Sequence, residues 1–211
     1  MNEKKLVIFD MDGTLLDSMP YWEHLGRNYL LQKGIDAPPQ LEETIETMTL
    51  NESAEYFREV FGLTLSREEI IREIGNLMDM AYRFEIPAKR GMKKLVREAK
   101  EKGMQVVVLT TSDQKLAKVA LKRTGLLSYF DAVYTANQFH MGKNGPEIYE
   151  RVCQLHHCAP EKTVVYEDAL YAIKAAREAG CHVIAVYDPS MESVWDQIRS
   201  LSEEQIIHHK C

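Results

Sequence analysis

The 211-residue chain has only four cysteines, Cys153, Cys158, Cys181 and Cys211, and no two of them form a CxxC pair. That scarcity leaves no zinc-ribbon or dithiol redox motif, so a reduced, cytoplasmic protein is expected. The run "CQLHHC" from Cys153 is a lone cluster without a second ligand pair, and no metal is assigned to it. An excess of basic charge is also missing. With 26 Lys and Arg against 32 Asp and Glu the net charge is −6, which offers no footprint for nucleic acid. The apolar runs are strand-sized, well short of the roughly 18 residues that cross a bilayer. The start "MNEKKLVIFD" lacks the apolar core of a signal peptide. Internal repeats and low-complexity segments are absent. What is present is an ordinary globular composition, 45% hydrophobic, enough for one core with or without an insert. A monomer is expected, with neither nucleic acid nor membrane as partner.

Five β-branched-rich runs stand out: "KLVIFD", "MQVVVLT" from Met104, "DAVYTA" from Asp131, "TVVYE" from Thr163 and "HVIAVYD" from His182. Each is short enough to be a buried strand. Helical patterns lie between the last four, in "DQKLAKVALKRTG", "GPEIYERVCQL" and "ALYAIKAAREAG". Strand and helix alternate as right-handed parallel crossovers require, so the expected class is α/β, a doubly wound, Rossmann-like parallel sheet covered on both faces. In the helix after Asp168, the small residues Ala172, Ala175, Ala176 and Ala179 permit close approach to the sheet, and Gly180 can end it.

The interval between the first two strands is too long for one crossover. It carries four amphipathic patterns: Trp22, Leu25 and Tyr29; Leu41, Ile45 and Met48; Ala54, Phe57 and Phe61; and a helix opened by Ser66 and Glu69 at capping-box spacing, running through Ile70, Ile74, Leu77 and Met78. The expected organisation is a core of residues 1–16 and 89–211 with an all-helical insert, 17–88, after the first strand. Ligands of open α/β sheets bind beyond the carboxyl ends of the strands. The insert is therefore expected at the rim of the site, placed like a lid.

The residues at those strand ends carry chemistry. The first strand runs into "FDMDGTLLDS", with Asp10 and Asp12 two apart; like charges that close need a compensating cation, a proton or full solvation. The second ends in "TTSD" (Thr110, Thr111, Ser112), the third is followed by "MGKNGPE" with Lys143, and the fourth ends in Glu167 and Asp168. Carboxylates, hydroxyls and one ammonium on a single rim suit a hard divalent cation and a phosphoryl group. Taken singly, each has a blander reading: an aspartate at a strand end is commonly a turn or helix cap, and a lone lysine is commonly surface. A calcium loop starting at Asp10 fails, because Leu15 and Tyr21 stand where glycine and glutamate are needed.

Taken together, "DMDGT", "VVVLTT", "GKNGPEIYERV" and "VVYEDALYAIKAAREAG" resemble the four ordered motifs of the haloacid dehalogenase superfamily, and the helical insert resembles the cap of its phosphatase and beta-phosphoglucomutase-like members. The resemblance covers the core nearly end to end. It implies that Asp10 is the nucleophile forming an aspartyl phosphate and that Asp12 is the acid and base. It further implies Mg²⁺ held by the Asp10 carboxylate, the Asp12 main-chain carbonyl and Asp168, with Glu167 close or bound through water. Thr110, Thr111 and Lys143 would hold the phosphate. Two departures are visible. The usual Lys-Pro-x-Pro is "KNGP" here, so the lysine loop is expected to be looser, and Ala169 stands where serine often follows the acidic pair.

Asp12 separates chemistries within the family: dehalogenases lack the second aspartate, whereas phosphoryl transfer needs it. The expected function is Mg²⁺-dependent hydrolysis of a small phosphorylated metabolite, with a sugar phosphomutase as the alternative. The family's mutases carry a histidine at the hinge, where Trp22 stands, and a basic residue early in the cap, where "MTLNES" offers none. Tyr21, Trp22 and Asn51, with Glu52, are the candidates for the substrate side of the insert; cap core or a solvated helix start explains them equally well. A non-enzymatic phosphate-responsive module such as a response-regulator receiver is disfavoured by chain order. Its phosphorylated aspartate lies on the third strand and no insert interrupts its first crossover.

Overall fold

The computed structural model describes residues 5–45 and 48–207. Among these residues six strands form one parallel sheet: β1 (Leu6–Phe9), β2 (Gln105–Thr110), β3 (Ala132–Thr135), β4 (Thr163–Glu167), β5 (His182–Val186) and β6 (Glu204–Ile206), in the order β3-β2-β1-β4-β5-β6. Strand order reverses at β1, which places the switch point of the sheet at the end of that strand. Phe9 is in register with Val108 on one side and Tyr166 on the other, and the Asp10 amide donates to the Tyr166 carbonyl at 2.9 Å. The chain therefore leaves β1 at Asp10 and β4 at Glu167 at one level. Five strands are the runs expected from sequence. The sixth, "EQI", is a short and largely exposed edge strand, too brief and polar to carry a pattern of its own.

Residues 20–85 form one compact unit, and the residues before and after them form another. The insert starts at Pro20 rather than Asp17 and ends at Glu85 rather than Ala88, because the two crossing segments pair. The Asp17 amide donates to the Pro87 carbonyl at 3.0 Å, and Leu16 bridges Ala88. The helices begin with α1 (Met19–Glu23), followed by α2 (Leu25–Gln32), α3 (Leu41–Ile45), α4 (Leu50–Phe61) and α5 (Arg67–Phe84). The single helix expected over Trp22, Leu25 and Tyr29 is broken at His24, which leaves helical geometry with ψ of 14°. Ser66 and Glu69 close the expected capping box of α5, and Thr49 and Glu52 form a second one at α4. Tyr29, Leu30, Leu41, Phe57, Ile70 and Ile74 belong to this unit's own core.

The sheet unit adds α6 (Met92–Glu101), α7 (Gln114–Arg123), α8 (Ala136–Phe139), α9 (Glu147–Leu155), α10 (Leu170–Glu178) and α11 (Trp195–Leu201). On one face, Ile8, Val107, Val165 and Val183 pack with Ile148 and Val152 of α9 and with Ile173, Ala175 and Ala176 of α10. Those alanines let α10 lie close, and Gly180, at φ +87°, turns the chain out of it. Cys153, Cys158 and Cys181 are buried thiols, and the Thr163 hydroxyl lies 3.3 Å from the Cys153 sulfur and 3.6 Å from that of Cys158. The cysteines of "CQLHHC" are thus core contacts, and Cys211 lies outside the described residues. Among the described residues no helix is long and apolar enough to cross a membrane.

Candidate active site

β1 hands over to Asp10, whose carboxylate is buried and accepts through Oδ1 from the Lys143 ammonium at 2.7 Å. The same ammonium donates to Glu167 Oε2, also at 2.7 Å. Lys143 is brought there from the loop before α9 and is itself only 3% exposed. Two carboxylates thus hold the head group of the lysine that opens "KNGP". Asp168, next in sequence, is buried as well and accepts from the Thr14 hydroxyl at 2.8 Å. One carboxylate oxygen each from Asp10, Glu167 and Asp168 lies within 4.8 Å of the others.

Three buried carboxylates around one ammonium are short of positive charge. Burial, reinforced by Asp10, pushes the Glu167 carboxyl up to about 8, with Lys143 opposing. Burial, then the charges of Asp10 and Glu167, hold Asp168 well above the usual carboxylate range. Burial alone would lower the Lys143 ammonium, but Asp10 and Glu167 hold it well above its ordinary value. Asp10 Oδ2 is buried with no hydrogen-bond partner among the described residues. A hard, all-oxygen donor set with an unpartnered buried oxygen and excess negative charge fits a divalent cation of the Mg²⁺ type.

Asp12 belongs to a different network. Its carboxylate takes no part in the acidic triad; Oδ1 accepts from the Ser18 hydroxyl at 2.8 Å and Oδ2 from the Ser112 hydroxyl at 2.7 Å. The turn that separates Asp10 from Thr14 contains Gly13 at φ +82°, and a Cβ there would stand 2.3 Å from Asp168 Oδ2. Only glycine fits where the turn lies against that carboxylate.

Thr110 ends β2, is buried, and accepts the Ser112 amide at 3.0 Å, which leaves its own O–H free to donate. Thr111 is exposed. Tyr21, Trp22 and Asn51 lie in the insert unit. Tyr21 is half-buried, Asn51 is exposed in the first turn of α4, and the Trp22 indole donates to the Tyr82 hydroxyl at 3.2 Å. Glu52 is engaged in the α4 cap.

Several residues of the site carried no assignment from sequence. Thr14, Ser18, Ser112, Tyr149 and Asp188 sit inside stretches the sequence singles out but carry no role there, whereas Lys89 lies in none of them. The Lys89 ammonium donates to the Gly13 carbonyl, to the Tyr187 carbonyl at 2.9 Å and to Asp188 Oδ2 at 2.6 Å. Tyr149, buried in α9, has a hydroxyl without a hydrogen-bond partner among the described residues; burial, then the carboxylates of Glu167 and Asp10 against the opposing charge of Lys143, raises it well above the ordinary phenol range.

A family profile described as "Haloacid dehalogenase-like hydrolase" matches residues 7–186. Among curated proteins, the chain is 28% identical over 174 residues to a "Phosphorylated carbohydrates phosphatase" of Thermotoga maritima, covering 82% of this chain and 81% of that one. It is 30% identical over 185 residues to "Hexitol phosphatase A" of Escherichia coli, covering 87% and 83%. A solved structure from Thermotoga maritima, provisionally assigned as a beta-phosphoglucomutase, superposes with a TM-score of 0.85 at 25% identity over 96% of this chain and 94% of that one.

Proposed function

The chain belongs to the haloacid dehalogenase-like hydrolase family and is a phosphoric monoester hydrolase, and we propose that it is an Mg²⁺-dependent phosphatase acting on small sugar or sugar-alcohol phosphates through an aspartyl phosphate on Asp10. The observation that carries this reading is the buried Lys143 bridging Asp10 and Glu167 while Asp10 Oδ2 has no hydrogen-bond partner among the described residues. A carboxylate held at one oxygen and open at the other is an oriented nucleophile. Two relatives named for phosphorylated carbohydrates or hexitols, each aligned over more than four-fifths of this chain, support the substrate class.

Asp10, Glu167 and Asp168, with the Asp12 main-chain carbonyl, would hold Mg²⁺. When bound, it would draw charge from the phosphoryl oxygens and offset their repulsion by Asp10. Lys143 supplies the second counter-charge, and the Thr110 hydroxyl donates to a phosphoryl oxygen. In the first half-reaction Asp10 attacks phosphorus, the bond to the ester oxygen breaks, and protonated Asp12 gives its proton to the departing alcohol. In the second, Asp12 takes a proton from the water that attacks the aspartyl phosphate, which frees Asp10 and inorganic phosphate. Asp12 must therefore keep its place both with and without its proton. Hydroxyl partners meet that need, because Ser18 and Ser112 donate to the carboxylate and can accept from the acid. The helical insert, 20–85, selects the substrate. The cytoplasm suits the buried thiols.

A second reading, a sugar phosphomutase, is favoured by the likeness to the Thermotoga maritima structure. Against it stand the absence of a cation in "MTLNES" and Trp22 at the hinge. One experiment tests both readings. Incubated with hexose 1-phosphate, Mg²⁺ and a hexose bisphosphate primer, the protein is expected to release inorganic phosphate in excess of hexose 6-phosphate. A hexose 6-phosphate yield about tenfold above free phosphate, roughly 1.4 kcal/mol of partitioning, means a mutase. Full phosphate release by Asp10→Asn or in excess chelator refutes the nucleophile and metal assignments.

A further inference from the structure

We propose that Lys89, braced by Asp188, is a positioning residue for the reaction: it holds the turn from Asp10 to Thr14 against Asp168. The inference rests on the phosphatase reading above for its kinetic consequence, but its geometric basis is separate. The Lys89 side chain is 10% exposed and that of Asp188 1%, so the pair is largely removed from water. An ammonium has three donors, and here they meet three acceptors: the Gly13 carbonyl, the Tyr187 carbonyl and Asp188 Oδ2. The other Asp188 oxygen accepts from the Ser190 amide at 3.0 Å and the Ser190 hydroxyl at 2.7 Å. A buried pair satisfied this fully has one arrangement open to it, and that rigidity passes to whatever it grips.

What it grips is the turn of the site. The main chain of the same residue adds a second hold, the Lys89 amide donating to the Leu15 carbonyl at 2.9 Å. Gly13 packs its Cα under the Asp168 carboxylate, and Thr14 donates to the same group. A shift of the Gly13 peptide would thus move the wall and one hydrogen-bond donor of Asp168, and with them the segment joining Asp10 to Asp12. The Lys89 ammonium bonds two main-chain carbonyls and Asp188, and it meets the turn at the Gly13 carbonyl. Its effect on the chemistry therefore runs through the turn.

The test uses the full chain with p-nitrophenyl phosphate and Mg²⁺, together with hydrogen exchange read by mass spectrometry. In Lys89→Met, kcat should fall about 10- to 100-fold, as a displacement near 1 Å in a reacting site would produce, while KM stays within about threefold. Exchange should rise in the peptide covering residues 10–17 and stay at wild-type rates in β2 and β3. Lys89→Cys treated with 2-bromoethylamine, which rebuilds a lysine-length ammonium, should recover kcat to within about threefold of wild type treated alike. A folded Lys89→Met protein with kcat within about threefold of wild type overturns the proposal, as does exchange that rises equally across the whole sheet. If Lys89→Met does not fold, Asp188→Asn is read in the same way, and unchanged exchange in residues 10–17 overturns the proposal there. A wild-type protein inactive on phosphate esters refutes the phosphatase reading instead and leaves the exchange result to decide the positioning role.

Discussion

Gly13→Ala tests whether the site depends on the close approach of the turn to Asp168. The added Cβ would lie 2.3 Å from Asp168 Oδ2, and ordinary contact begins near 3.4 Å, so turn or carboxylate must yield by the difference, about 1.1 Å. Misplacement of that size in a reacting site costs on the order of 100-fold in rate. The backbone adds its own penalty, since φ is +82°. An alanine in the left-handed region costs about 1–2 kcal/mol, offset by about 0.4–1 kcal/mol from the stiffer unfolded chain, for a net loss near 1 kcal/mol and a Tm lower by about 2–4 °C. Gly103 is the matched control. It has φ +73° after α6 with no atom within 4 Å of its would-be Cβ, so Gly103→Ala carries the backbone strain alone. Gly13→Ala should show the larger fall in Tm, because the clash adds to the backbone strain, and only Gly13→Ala should lose turnover of p-nitrophenyl phosphate. If Gly13→Ala keeps kcat within about threefold of Gly103→Ala, the Asp168 contact does not govern catalysis and the reasoning fails.

Other outcomes follow from the same charges. Glu167 sits at about 8 in the folded chain against an ordinary 4.5, so the folded state holds its proton more tightly than the unfolded one. Stability from this group is present below pH 4.5 and is lost as pH rises through about 8, and Asp168 acts in the same direction. Chelator-treated protein should therefore melt at falling temperature between pH 5 and 8, as measured by calorimetry, and saturating Mg²⁺ should flatten that slope; a Tm that rises over the window without metal contradicts the reading. Asp12→Ala should still accept phosphate from an activated aryl phosphate, whose leaving group needs no proton, yet hydrolyse the phosphoenzyme slowly. Peptide mass analysis after acid quench should find the phosphate on Asp10, and a phosphate on serine, threonine or histidine excludes the covalent role of that residue.

The elements readable in the sequence are those whose cause is local. The apolar strands β1, β2, β4 and β5, the alanine-faced α10 ended by Gly180, and the Ser66–Glu69 cap each follow from residues a few positions apart, because strand and helix periodicity and capping act over that range. The motif order also marked Asp10, Asp12, Lys143, Glu167 and Asp168 as one group, although Lys143 is 133 residues from Asp10; that link came from resemblance and not from any periodicity. The break at His24 and the edge strand β6 were not readable. The first is a backbone choice inside a continuous amphipathic pattern. The second exists because β5 leaves an open edge for three polar residues to pair with.

What tertiary structure alone decided is which partner each charged group found. Nothing near Asp12 in sequence names Ser112, 100 residues on, as the hydroxyl on its second oxygen, and nothing in "PAKRG" foretells that Lys89 reaches back 76 residues to the Gly13 carbonyl. The proton held by Glu167 is likewise a consequence of burial, which is set by how α9, α10 and the strand ends pack and not by the residue's neighbours in the chain. Backbone preference is written residue by residue. Electrostatic environment is a sum over everything the fold brings within a few ångströms, and that sum exists only once the sheet register has aligned the ends of β1 and β4.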